Sequence, residues 1–327
     1  MSKEDQKLKM IHLVRILEEE TDDEHGLTGP QIVSMLAERG VEVERKTLYN
    51  DLECLRRIGY DVQKYQRSKV EYGLASRDFQ EGELMLLADA VQSSKFLTAK
   101  KADALVGAIS KLGSRHTAKS LAKRIHVEGR ISTQNESVYY NVDAIQRAMD
   151  AKRKVRFRYF KFDEGKQRVE QHGGRPYTAT PVQLMYMDGF YYLVVWNDNH
   201  ECLLNYRVDR MRNIEVTDEE ATRNEEIASF DAAKYQQRVF GMFSGESVSV
   251  TLLVKASAMS SVIDRFGVGV HAVPAGEGLA RVSAVVLEAP TFYGWLAQFG
   301  DDVVIESPQR LRNAFAEHLE NTLKSYR

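Results

Sequence analysis

Cysteine is nearly absent from the chain, with only Cys54 and Cys202 in 327 residues. Two thiols exclude a disulfide framework and a four-thiolate zinc site, and a single bridge is not expected in a reducing compartment. No apolar run is long enough to span a bilayer. The opening MSKEDQKLKMIHLV lacks the core of a signal peptide, so the cytoplasm is the expected location. Catalytic signatures are missing as well: there is no nucleophile elbow, Walker loop, dinucleotide fingerprint or HExxH pair. The eight histidines are scattered and show no metal spacing. Neither catalysis, a cofactor nor a metal is expected on these grounds. Net charge is also small, −2, and by itself gives no argument for nucleic acid.

Charge is nevertheless segregated. Six acids fall between Glu18 and Glu24, eight bases against two acids between Lys100 and Arg130, and five bases with no acid between Lys152 and Arg158. Each run is either a solvated face or a contact surface. The stretch Lys7 to Glu19 places Met10, Leu13, Val14 and Leu17 on one helical face. LTGPQIVSML then reads as a helix start, with Thr28 as cap, Gln31 three residues on and Pro30 in the first turn. Its buried stripe is Ile32, Met35 and Leu36, and Arg39-Gly40 ends it. A third helix, ERKTLYNDLECLRRIG, buries Leu48, Leu52 and Leu55. Lys46, Asn50 and Arg57 point the other way, with Arg45 and Tyr49 on a flank. A hairpin follows, with Arg67 and Lys69 near its tip.

Three short helices and a hairpin are the order of a winged helix-turn-helix, whose last helix enters the major groove of duplex DNA. Arg45, Lys46, Thr47, Tyr49, Asn50 and Arg57 are the candidate contacts on that helix, since Arg and Lys read guanine and Asn reads adenine. Arg67 and Lys69 are candidates for phosphate. The competing reading is a small helical domain with a solvated polar face. Glu44 is a weak helix cap, and Glu53 faces outward against any phosphate.

ERKTLYNDLECLRRIGYDV with its hairpin, then RDFQEGELMLLADAVQSSKFLT, resembles the front half of the WYL-domain transcriptional regulators. GFYYLVVW occupies the position of that family's Trp-Tyr-Leu signature, with Tyr191 in place of the tryptophan, and Tyr206-Arg207-Val208-Asp209-Arg210 follows. The likeness spans nearly the whole chain. It implies an α+β multidomain protein: winged helix-turn-helix (1–76), helical connector (77–135), Sm-like, SH3-type β-barrel or WYL domain (136–222), linker (223–245) and a C-terminal extension (246–327).

The residues agree with that division. In the connector, Leu84, Leu87, Ala88 and Val91 share one helix face; Ala104, Leu105, Ala108, Ile109 and Leu112 share another. Asn141 caps a helix running to Ala151. KVRFRYF alternates, with Val155, Phe157 and Tyr159 on one face and Arg156, Arg158 and Lys161 on the other. Asp188-Gly189 is hairpin chemistry, Asn197 to His200 makes the next turn, and Glu215 to Glu226 reads as a linker. The last eighty residues follow a ferredoxin-like βαββαβ order plus a helix, and VIDRFG and PTFYGWLAQFG carry the likeness to the family's extension.

Rings stack on bases and arginines grip phosphates. Arg158, Arg175, Tyr186, Tyr191, Tyr206, Arg207 and Arg210 are therefore the candidate ligand residues. The resemblance implies that they sense a nucleic-acid-derived effector, with single-stranded DNA the foremost kind, and that a homodimer binds two-fold operator DNA. For any one tyrosine a core position competes with this reading, and Arg210 has Asp209 as an alternative partner. A nucleic-acid-processing protein that docks through the helix-turn-helix, and an interaction module without DNA, are the other classes open.

Overall fold

Leu13, Ile16 and Leu17 recur at the helical period and are buried on one side of α1 (Lys3–Glu20). The computed structural model that shows this describes residues 3–124 and 138–327. Residues 125–137 lie outside it, and with them the end of the expected connector and of the Lys100–Arg130 run. The chain divides into two units, residues 1–135 and 136–327.

In the first unit, β1 (Leu27–Thr28), α2 (Gly29–Glu38), α3 (Arg45–Arg57), β2 (Val62–Gln66) and β3 (Val70–Leu74) follow α1. Gln31 Oε1 accepts from both the N–H of Thr28 (2.8 Å) and its hydroxyl (2.7 Å), so the local signal at the start of α2 holds. Leu13, Leu17, Ile32, Leu36, Leu48, Leu52 and Leu55 meet in one core with Val62 and Leu74. Burying one such side chain is worth about 1.5–3 kcal/mol, so the apolar stripes fix how the helices pack. β1 pairs with β3, Leu27 opposite Tyr72, and gives a three-stranded sheet of order β1-β3-β2. Arg77 reaches back to the end of α1, donating to the carbonyls of Glu18 (2.6 Å) and Thr21 (2.5 Å). It satisfies acceptors that a helix C-terminus leaves open, and burial lowers its pKa.

Three helices complete this unit: α4 (Glu81–Ser93), α5 (Ala99–Ser110) and α6 (Arg115–Arg124). In α5 the buried residues are Ala102 and Val106, with Leu105 half-buried and Ala104 and Ala108 exposed. The face read from the sequence is therefore rotated, because small alanines carry too little apolar area to decide which side is buried.

The second unit opens with α7 (Val138–Asp150) and then β4 (Arg153–Phe162), β5 (Arg168–Glu170), β6 (Tyr177–Met187), β7 (Phe190–Asn197), β8 (Cys202–Arg207) and β9 (Met211–Glu220). They form one curled sheet of order β5-β4-β6-β7-β8, with β9 also paired to β4. Asp188 (φ 53°) and Gly189 (φ 85°) both take the left-handed region in the β6–β7 turn, as a tight hairpin requires. Asn141 lies inside α7, not at its start. Its buried amide donates to the carbonyls of Val208 (3.2 Å) and Met211 (3.0 Å) and pins the helix to the turn before β9. The acidic segment from Glu215 to Glu220 is strand, not linker: Glu215 pairs with Arg156 and Glu220 with Arg153. Opposite charges across a ladder favour that pairing.

Two short helices, α8 (Glu225–Ala228) and α9 (Ala232–Arg238), lead to the last segment. It runs β10 (Glu246–Lys255), α10 (Met259–Phe266), β11 (His271–Gly276), β12 (Leu279–Glu288), α11 (Pro290–Ala297), β13 (Val303–Ser307) and α12 (Gln309–Lys324). The sheet is antiparallel with order β11-β12-β10-β13. Val250, Leu252, Val254, Val282 and Val286 pack there with Val262, Phe292, Leu296 and Leu311 from the helices. A second cluster joins this sheet to the curled one: Leu287, Val239 and Met242 meet Met185, Tyr192 and Val194.

Candidate functional site

Burying Leu48, Leu52 and Leu55 leaves Arg45, Lys46, Tyr49, Asn50 and Arg57 on the exposed side of α3, with Thr47 half-buried. Lys46, Asn50 and Arg57 make no ion pair or side-chain hydrogen bond among the described residues. Arg45 reaches only the Tyr49 hydroxyl, at 3.5 Å. Tyr49 also packs on Tyr72, ring centroids 5.8 Å apart. Glu44 caps α3 without a side-chain hydrogen bond, and Glu53 is neutralised by Arg56 at 2.9 Å. The face that remains carries free cations and one amide.

The hairpin tip divides its two candidates. Arg67 is tied down: it donates to the carbonyls of Glu24 and Asp23 (3.1 Å to the latter), lies 3.3 Å from Glu71 and stacks on Tyr65. Lys69 is exposed and has no partner among the described residues.

Strand register separates the seven candidate ligand residues. Tyr186 sits opposite Tyr191, and Tyr206 opposite Leu193, which puts these on one face of the sheet. Arg207 sits opposite Tyr192 and therefore on the other face. Tyr206 packs edge-on to Phe157 and Tyr159, both at 5.0 Å, and lies 5.4 Å from Tyr177. Burial pushes its pKa up to about 12, with Tyr177 and Tyr159 adding to the effect. Tyr186 is exposed and stands 5.2 Å from Tyr191, centroid to centroid.

Arg207 is held internally. Its Nε donates to Asp209 Oδ1 (3.1 Å) and its Nη2 to Oδ2 (2.8 Å), while the guanidinium lies 3.5 Å from the centre of the Phe190 ring. Only 21% of the Arg207 side chain and 11% of the Asp209 side chain reach solvent. Burial alone would lower the arginine's pKa; the hydrogen bonds and charge of Asp209 outweigh it and raise it. Arg210, in the turn Val208–Arg210, is half-buried, and its Nε is buried with no hydrogen-bond partner among the described residues. Arg158 is on an exposed face 3.6 Å from Glu170, and Arg175 is exposed before β6.

Two family models match the second unit: the WYL domain over residues 140–216 and the WCX domain over residues 246–323. The chain carries a WYL domain followed by a WCX domain. The WYL match runs from α7 into β9 and takes in the curled sheet; the WCX match begins with β10 and ends in α12. Among solved structures, Proteasome accessory factor B/C (PafBC) of Arthrobacter aurescens is 18% identical, covers 99% of this chain and 49% of that one, and gives a TM-score of 0.31. A CRISPR Cas-related protein is 12% identical, covers 90% of this chain and 77% of that one, and gives 0.36. This WYL-domain chain thus spans about half of the PafBC chain. No curated protein matches it.

The residues packed around the candidates Arg207 and Tyr206 were not evident in the sequence. Asp209 as the counter-ion of Arg207 had a signal, an acid two positions away, but the sequence offered Arg210 as its partner. Phe157, Tyr159 and Tyr177, the rings around Tyr206, needed the register of four strands to be found. Among the described residues no group of three or more His, Cys, Asp or Glu side chains is placed to hold a metal. No helix there is long and apolar enough to cross a membrane.

Proposed function

We propose that this chain is a transcriptional regulator that binds duplex DNA in a sequence-specific way and whose WYL domain senses a nucleic-acid-derived ligand. In this reading α1 to β3 is a winged helix-turn-helix, the curled WYL sheet an Sm-like barrel, and the WCX segment a ferredoxin-like domain. The observation that carries the DNA half is the exposed face of α3. Arg45, Lys46, Asn50 and Arg57 are solvated and not neutralised by ion pairs, on a helix whose opposite side is locked in the core. Arg and Lys on such a helix suit guanine O6 and N7, and Asn50 suits adenine. Lys69 supplies a phosphate contact from the hairpin. Arg67, bound to its own acidic loop, positions the hairpin instead of reaching DNA.

The sensing half is assigned to the Arg207–Asp209 pair with Arg210 beside it. A free, waiting Arg207 is replaced by an arginine with an internal counter-ion. An anionic ligand acts by taking Arg207 from Asp209, a change of partner instead of an encounter with an open charge. Arg210, half-buried in the same turn, adds a second cation. Tyr186 and Tyr191, on the other face, offer stacking for bases. The ligand is an oligonucleotide or nucleotide, foremost single-stranded DNA; the active form is a homodimer on a two-fold operator; and no catalysis is assigned.

Electrophoretic mobility of genomic duplex fragments tests this reading. Binding is expected to fall steeply with salt and to change when a short single strand is added. Thermodynamic linkage then requires the duplex to change single-strand affinity by the same factor. Loss of single-strand response and duplex binding together in a folded Arg207→Ala protein would contradict the two-site assignment.

A further inference from the structure

The WCX segment carries a cleft of about 350 Å³ between α9 and the β11 edge of its sheet, apart from the residues assigned above. Lys234, Gln237 and Arg238 line it from α9, Gly269 from the loop before β11, and His271 and Ser283 from the sheet. Among the described residues no carboxylate lines it; Asp231, 3.5 Å from Lys234 Nζ, is the acid in the ion pair formed there. His271 and Ser283 are register partners and so share a face. An imidazole, a hydroxyl, an amide and two cations thus belong to residues around one small volume.

These cations have little structural duty. The end of α9 is capped by Arg265 from α10, whose guanidinium donates to the carbonyls of Gln236 (3.2 Å) and Val239 (2.5 Å) and stacks on Phe240 at 3.9 Å. The middle of α9 is held by Tyr235, whose hydroxyl donates to Asn205 Oδ1 (3.1 Å) and accepts from its amide nitrogen (2.9 Å). With α9 fixed from both sides, Arg238 makes no ion pair or hydrogen bond among the described residues, and Lys234 is mostly exposed. Gly267 takes φ +87° against the Gln237 amide, and at Gly269 an added Cβ would meet nothing within 4 Å, so the loop leaves the cleft open.

We propose that this cleft is an anion site that binds a phosphomonoester group. A doubly charged phosphate matches two converging cations with neutral donors around them, and the volume lies near the lower end for small-ligand sites, roughly 300–1,000 Å³. The source is a free nucleotide or the phosphorylated end of a nucleic acid; the chemistry is shared.

Isothermal titration of the full-length protein tests it, with adenosine 5′-monophosphate, adenosine, and a short oligonucleotide with and without a 5′-phosphate as probes. The monophosphate is expected to bind and adenosine not to. Arg238→Gln and Lys234→Gln should each weaken binding about tenfold, as loss of one charge-assisted hydrogen bond implies, and the double variant should remove it. Unfolding midpoints without ligand should stay unchanged, since neither side chain supports the fold. Competition by the 5′-phosphorylated oligonucleotide but not by its unphosphorylated form assigns the site to a nucleic-acid end; no competition by either assigns it to free nucleotide. Absence of monophosphate binding at millimolar concentration, or equal binding by both variants and the wild type, overturns the proposal.

Discussion

Breaking the Arg207–Asp209 pair should destabilise the second unit and leave the first untouched. The pair has two hydrogen bonds, 3.1 and 2.8 Å, and a ring contact at 3.5 Å. Removing one partner of a buried pair costs about 3–5 kcal/mol. With a fifth of the arginine side chain in water, hydration of the survivor reduces this to roughly 2 kcal/mol for Arg207→Ala or Asp209→Ala. The double variant should cost little more than either single one, a coupling of roughly 1–2 kcal/mol. The protein supplies its own reporter. Both tryptophans, Trp196 and Trp295, are in the second unit, so fluorescence in a urea titration follows that unit alone. With a slope of about 2 kcal/mol per molar urea, each single variant should move the midpoint by about 1 M. Additive effects, with coupling below about 0.5 kcal/mol, would refute the view that Asp209 holds Arg207. If a ligand takes Arg207 from Asp209, Asp209→Ala should also bind single-stranded DNA more tightly; weaker binding would refute the displacement step.

Three further outcomes are expected. Asn50→Ala and Arg45→Ala should each cost about 1–3 kcal/mol of duplex affinity in a sequence-dependent way, whereas Lys69→Ala should weaken all duplexes alike and reduce the salt slope by about 1, measured by fluorescence anisotropy. Arg77→Ala orphans the carbonyls of Glu18 and Thr21 and should lower the stability of the first unit by about 2 kcal/mol, seen as faster hydrogen exchange at the end of α1. Tyr206, its pKa raised from 10.0 to about 12, contributes stability that is complete below pH 10 and lost as pH rises toward 12; the tryptophan-monitored midpoint should fall over that range, and less in Tyr206→Phe than in the wild type.

What the sequence made legible was local. Thr28 and Gln31 sit three residues apart and make their box; Asp188-Gly189 turns because two adjacent residues accept left-handed backbone. The stripes Leu48-Leu52-Leu55 and Val155-Phe157 are buried as their periods require. What failed needed partners distant in the chain. Asn141 has the chemistry of a cap, but its acceptors are Val208 and Met211, about seventy residues on. The acids after Met211 look solvated until β4 places Arg153 and Arg156 opposite them. The surroundings of the candidate ligand residues were least legible, because strand parity puts neighbours on opposite faces: Tyr206 and Arg207 are adjacent in sequence, yet one joins an aromatic cluster and the other an ion pair behind it.

The central claim, duplex recognition by α3 adjusted through the WYL domain, is tested most directly by sequencing the genomic fragments retained by the purified protein, with and without short single-stranded DNA. The account predicts enrichment of a two-fold-symmetric sequence, its loss in a folded Arg45→Ala/Asn50→Ala protein, and a changed yield when the single strand is present. Retention of no particular sequence at low salt, or the same enrichment in the double variant, would contradict it.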